Sequence, residues 1–149
     1  MPGNVDVQYA LGTLYSDTGD YDKARGQFAK MLQADPKSVL ALWQSGAVEI
    51  ESGHPQAALE PLSKAEYLTI QSDNKEQHAT VLLAMGIAYQ FLQKREEALR
   101  YFNECIAIGE KIGQKRAVAA ALGQTAQMDS ESVSYTHLDV YKRQQAARS

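Results

Sequence analysis

The chain offers few residues able to do chemistry: three histidines (His54, His78, His137), one cysteine (Cys105) and scattered carboxylates. A metal site would need histidines at i, i+4 on a helix or a cysteine-rich spacing, and no pair here has either. A reactive thiol would need a cationic, partly exposed setting, whereas Cys105 falls in a slot that takes small packing residues. A general acid–base pair needs two carboxylates opposed across a cleft. Glu96-Glu97 instead open a helix, where the helix dipole favours negative charge. Gly86, Gly109, Gly113 and Gly123 are too dispersed to cradle a phosphate. The sequence therefore nominates no catalytic residue, no metal ligand and no cofactor.

Composition narrows the field further. The 149 residues are 44% hydrophobic, enough to bury a core, and the formal net charge of −3 argues against a general polyanion binder. No apolar run approaches the roughly 20 residues needed to cross a bilayer. Met1-Pro2-Gly3-Asn4-Val5-Asp6 has neither the basic start nor the apolar core of a signal peptide. A single cysteine leaves the fold to packing alone. Neither a nucleic-acid nor a membrane partner is expected.

The elements that organise the chain show in a repeat. Val5-Asp6-Val7-Gln8-Tyr9-Ala10-Leu11-Gly12 aligns with Val39-Leu40-Ala41-Leu42-Trp43-Gln44-Ser45-Gly46 at an offset of 34, which also carries Gly19 to Gly53, Ala24 to Ala58 and Phe28 to Leu62. A third copy has Met85-Gly86, Tyr89, Ala98 and Phe102, 40 residues on; a fourth start, Ala121-Leu122-Gly123, then fades. Each unit reads as two amphipathic helices, A and B, joined by a tight turn. Leu11, Gly12 and Tyr15 share one face of helix A, and Gly12 removes a side chain where the neighbouring helix must come close. Gly19 supplies the positive φ of a helix C-terminal cap. Ala24, Phe28 and Met31 form one stripe of helix B, and Pro36 ends the unit. Pro55 sits at the first residue of the second helix B, a favoured site. Asp73-Asn74-Lys75-Glu76 predicts a capping box, with Asp73 reaching forward and Glu76 back.

The pattern Leu11-Gly12-x-x-Tyr15, Ala24, Phe28 and Pro36 closely resembles the tetratricopeptide repeat, over residues 2 to about 128. The resemblance implies an all-α fold, a right-handed superhelical solenoid of antiparallel helical hairpins, whose A helices line a concave groove for peptides or partner helices. The array is expected over 1–128, with units at about 5–38, 39–74 and 75–114 and a partial unit at 115–128. The second unit departs from the family with Ser45 and Glu49, where Leu and a large aromatic are usual. Helix A is expected to keep both hydrated or paired, because an unpaired buried polar group is costly. The lengthened third unit resembles longer repeats of bacterial regulatory and signalling proteins.

Both ends depart from the period. Pro2 lies 34 residues before Pro36, in the slot that closes a unit, so an earlier repeat is expected upstream. Residues 129–149 are expected to be a non-native or disordered tail. Within it, Val133-Ser134-Tyr135-Thr136-His137-Leu138-Asp139-Val140-Tyr141-Lys142-Arg143-Gln144 can be written in codons whose two halves are reverse complements. The segment resembles two transposase mosaic ends from a sequencing library, joined back to back and translated. Such a scar belongs outside fold reasoning. Setting it aside removes the basic, aromatic tail on which a nucleic-acid reading would rest.

Counting from the glycine of each A helix, the groove-facing positions are Tyr9, Thr13 and Ser16; then Trp43, Ala47 and Ile50; then Leu83, Ile87 and Gln90. The aliphatic members also suit packing between units, while the aromatics Tyr9 and Trp43 share one slot and suit recognition of a helix or an extended peptide. Chaperone-binding members of the family hold a C-terminal carboxylate in a basic clamp. The matching positions here are Tyr9, Thr13, Gln44, Thr80 and Ala84, none cationic. The resulting expectation is a non-enzymatic protein–protein interaction scaffold that holds a partner segment in its concave groove. The alternative is a sensor or regulatory arm of a larger bacterial kinase, ATPase or cyclase whose catalytic part lies elsewhere.

Overall fold

The computed structural model describes residues 4–148, with the side chains of 132–139 outside the described set. Among the described residues the chain is seven helices: α1 (Val5–Asp17), α2 (Tyr21–Ala34), α3 (Val39–Glu51), α4 (Pro55–Gln71), α5 (Lys75–Phe91), α6 (Arg95–Ile112) and α7 (Lys115–Arg148). Each packs on the next, forming antiparallel hairpins α1–α2, α3–α4 and α5–α6. In addition α1 touches α3, α3 touches α5 and α5 touches α7, while the backbones of α2, α4 and α6 stay farther apart from one another. The odd-numbered helices therefore form one continuous layer and the even-numbered helices the other. That is an all-α solenoid of stacked hairpins.

The glycines set the hairpin spacing. A methyl group added to Gly12 would lie 2.6 Å from Phe28 Cζ, and one on Gly46 would lie 2.5 Å from Leu62 Cγ. Gly86 stands in the same relation to Phe102. Phe28, Leu62 and Phe102 are wholly buried, as are Ala24, Ala58 and Ala98, so each hairpin closes on one large and one small side chain. Gly123 meets open space instead; among the described residues no helix packs over it.

Turns follow an equally regular rule. Asp20 N–H donates to Tyr15 O (2.7 Å), His54 N–H to Glu49 O (2.7 Å) and Lys94 N–H to Tyr89 O (2.9 Å), closing the same six-residue cap in each hairpin. The residue before each donor is left-handed: Gly19, Gly53 and, in the third unit, Gln93 at φ 62°. The odd helices α1, α3 and α5 begin on side-chain caps, Asn4 accepting from Asp6 N–H, Ser38 from Ala41 N–H and Asn74 from Gln77 N–H. This corrects the capping box expected at Asp73. Asp73 is itself the left-handed residue that ends α4, at φ 53°, so the cap passes to Asn74 and its partner to Gln77.

Residues 129–148 continue α7 as helix. No proline follows Pro61 and no glycine follows Gly123, so nothing in the sequence interrupts the backbone there. Early in this stretch Arg95 anchors it, donating to Met128 O at 3.0 Å and to Asp129 at 2.5 Å. The likeness to translated adapter sequence concerns the origin of the segment rather than its conformation. Of the residues that carry it, the side chains of 133–139, Tyr135 and His137 among them, lie outside the described residues.

Candidate interaction groove

The layer of odd helices positions the nine expected groove residues. Between α3 and α5 lies an open groove of about 670 Å³, lined by Trp43, Ala47, Ile50, Leu83, Ile87 and Phe91 among others. A second section of about 310 Å³ continues it past Val39, Leu40, Glu76, Gln77 and Gln114, sharing Trp43 and Thr80 with the first. Trp43 thus stands where the two sections meet. Five of the nine expected residues line this one trough.

The other four lie apart from it. Tyr9 is half-buried against the core of the first hairpin, and its hydroxyl accepts from Gln44 Nε2 at 3.2 Å. Thr13 turns its hydroxyl back to Tyr9 O, 2.9 Å away. Ser16 donates to Glu51 Oε2 at 2.5 Å, joining the first unit to the rim of the groove. Gln90 is half-buried, with Oε1 unpartnered among the described residues. Phe91, one residue on, takes the groove position instead and is 63% exposed. It lies at the C-terminal end of α5, beyond the reach of a count made outward from Gly86.

Ser45 and Glu49 meet different partners. Ser45 donates to Ala41 O within its own helix (2.8 Å). Glu49 accepts from Arg25 Nε at 2.6 Å across the α2–α3 seam, and Arg25 also donates to Ser52 Oγ (2.7 Å) and Asp22 Oδ1 (2.9 Å). The hydrogen bond to Glu49 leads in raising the Arg25 pKa, so this seam is ionic. The repeat does not announce Arg25, because the same slot holds Leu59 and Leu99 in the next two units. In the third unit, Tyr89, in the same slot as Glu49, stacks on Tyr101 with ring centroids 5.4 Å apart.

The residues with reactive side chains are placed quietly. Cys105 is fully buried with Sγ 3.9 Å from Ala117 O, and burial pushes its thiol pKa up, away from the reactive thiolate. His54 is exposed at the start of α4 beside Ser52 Oγ (3.1 Å), and burial lowers the pKa of half-buried His78. Among the described residues no cluster of His, Cys, Asp or Glu is arranged to hold a metal, and no helix is long and apolar enough to cross a membrane.

Comparison with known proteins bears on the same residues. Family models described as tetratricopeptide repeat match residues 5–38 and residues 78–112. Among solved structures, "MamA AMB-1" is 25% identical with a TM-score of 0.61, covering 74% of this chain. The alignment spans 62% of that protein's length. The N-terminal domain of stress-induced protein-1 from C. elegans is 18% identical at a TM-score of 0.62, covering 78% of this chain and 93% of that one. The first TPR domain of human RPAP3 is 21% identical at a TM-score of 0.64, covering 85% and 98%. No curated protein matches the chain.

Proposed function

From the premise that the chain carries tetratricopeptide repeats within an all-α solenoid, we propose a protein–protein interaction scaffold whose concave groove receives a segment of a partner protein. The observation that carries this reading is the trough between α3 and α5. Its walls are largely apolar, and an indole stands at the junction of its two sections. Isolated exposed apolar residues are ordinary on any surface. A contiguous apolar trough with an aromatic at its centre is the form that recognition of a helix or extended peptide takes. Trp43, Ala47, Ile50, Leu83 and Ile87 supply the contact, Phe91 extends it, and the side chains of Tyr9 and Ser16 brace the first hairpin against the second.

The test is a peptide-display selection on the full chain, followed by titration of selected peptides into two variants. Trp43→Ala should weaken binding by about tenfold or more, as loss of a central aromatic anchor does. Tyr67→Ala, which removes an exposed aromatic from α4 in the outer layer, should bind as the parent does. Unchanged helical content in both variants excludes unfolding as the cause. Equal affinity for the parent and Trp43→Ala would remove the groove from the function.

A further inference from the structure

The two helix layers differ in charge as well as position. Helices α1, α3 and α5, which line the inner layer, carry Asp6, Asp17, Glu49, Glu51 and Glu76, against Lys75 as their one lysine or arginine. The lysines and arginines of the first three hairpins sit mainly on the outer helices: Lys23, Arg25 and Lys30 on α2, Lys64 on α4, and Arg95, Arg100 and Lys111 on α6. Glu49 is neutralised by Arg25 across the seam. Of the remaining four, Glu51 and Glu76 are exposed and line the trough, one in each section. Ser16 satisfies one oxygen of Glu51 without removing its charge. Neither section is lined by lysine or arginine among the described residues. Lys115, at the start of α7, lines a separate surface beside Gly109 and Glu110.

Resting on the groove reading above, we propose that the occupant is an amphipathic segment of another protein whose apolar anchors are flanked by lysine or arginine. The apolar wall between Trp43 and Phe91 takes the anchors, and Glu51 and Glu76 take the flanking cations. An acidic segment of the same apolar pattern meets two uncompensated carboxylates and is repelled. Charge of this kind at a rim acts on partner choice more than on total affinity, and salt screens it.

Two synthetic helical peptides test the proposal. They share one apolar stripe and differ only in the polar face, lysine and arginine in one and glutamate in the other. Trp43 is the chain's only tryptophan, so its emission reports occupancy of the trough directly. At low ionic strength the basic peptide should bind about tenfold more tightly than the acidic one, and the gap should close in roughly half-molar salt. The double variant Glu51→Gln/Glu76→Gln should abolish the gap. Glu60→Gln/Glu110→Gln, which removes two exposed carboxylates from the outer helices, should keep it. Equal affinity of the two peptides, or tighter binding of the acidic one, overturns the charge inference and leaves the groove standing. Loss of the gap in the outer-helix variant overturns it too, by assigning the preference to the whole molecule. If neither peptide alters Trp43 emission, the groove reading falls and takes this inference with it.

Discussion

Gly46 and Leu62 are packed so closely that a single methyl group on Gly46 would fall 2.5 Å from Leu62 Cγ. The pair joins α3 to α4, and its equivalents Gly12–Phe28 and Gly86–Phe102 join the other two hairpins. Gly46→Ala should therefore destabilise the chain by about 1–3 kcal/mol, the usual cost of overpacking, even though alanine is the better helix former. Leu62→Ala alone should cost about 2–5 kcal/mol through the cavity it leaves. In the double variant the new methyl enters the vacated space, so the two costs should be less than additive, as denaturant midpoints will show. Strict additivity would mean that the two residues do not share a packing site.

Gln8 occupies the slot that Leu42 and Leu82 fill in the next two units, and all three are buried. Its Oε1 has no hydrogen-bond partner among the described residues. Gln8→Leu should raise stability by about 1–3 kcal/mol, because it removes an unsatisfied acceptor from an otherwise apolar site. A thermal scan of the two proteins checks the sign. A lowered transition would show that the amide is satisfied in solution.

Gln93 holds the left-handed position that Gly19 and Gly53 hold in the first two hairpins. A side chain there crowds the following carbonyl, at a cost of about 1–2 kcal/mol. Gln93→Gly should stabilise the protein by about 1 kcal/mol and Gly19→Ala should destabilise it by a similar amount. Opposite signs for the two substitutions are the diagnostic result.

Burial, assisted by Glu104, pushes the Glu66 carboxyl above its ordinary pKa of 4.5. The folded chain then holds that proton more tightly than the unfolded chain does. The resulting stabilisation is complete below pH 4.5 and is lost as pH rises through the raised value. Glu66→Gln carries no charge to desolvate, so it should be more stable than the parent at neutral pH, with the advantage shrinking towards pH 4. Denaturation midpoints at both ends of that range decide it; a difference independent of pH would contradict the assignment.

These positions show what the sequence could carry. Gly12, Gly46 and Gly86, with Phe28, Leu62 and Phe102, recur at fixed offsets, and the hairpin packing was legible from them because each unit repeats one local solution. That Trp43, Ala47, Ile50, Leu83 and Ile87 face one trough was legible for the same reason: helical phase fixes direction once the buried glycine is known. The Arg25–Glu49 seam was not. It pairs residues 24 apart that recur in neither neighbour, so no period announces it. Phe91 escaped because it lies at the helix end, and Asn74 displaced Asp73 as the cap because the left-handed turn at Asp73 depends on how α4 ends.

The most direct test of the scaffold reading places a photo-crosslinking amino acid at Ala47, inside the trough, and separately at Ser63, exposed on α4 in the outer layer. Each variant chain is irradiated with a peptide selected against the parent, and the adducts are mapped by mass spectrometry. The groove account predicts efficient, saturable crosslinking from position 47 and none above background from position 63. Crosslinking from 63 with none from 47 would contradict it, placing the partner on the outer helices.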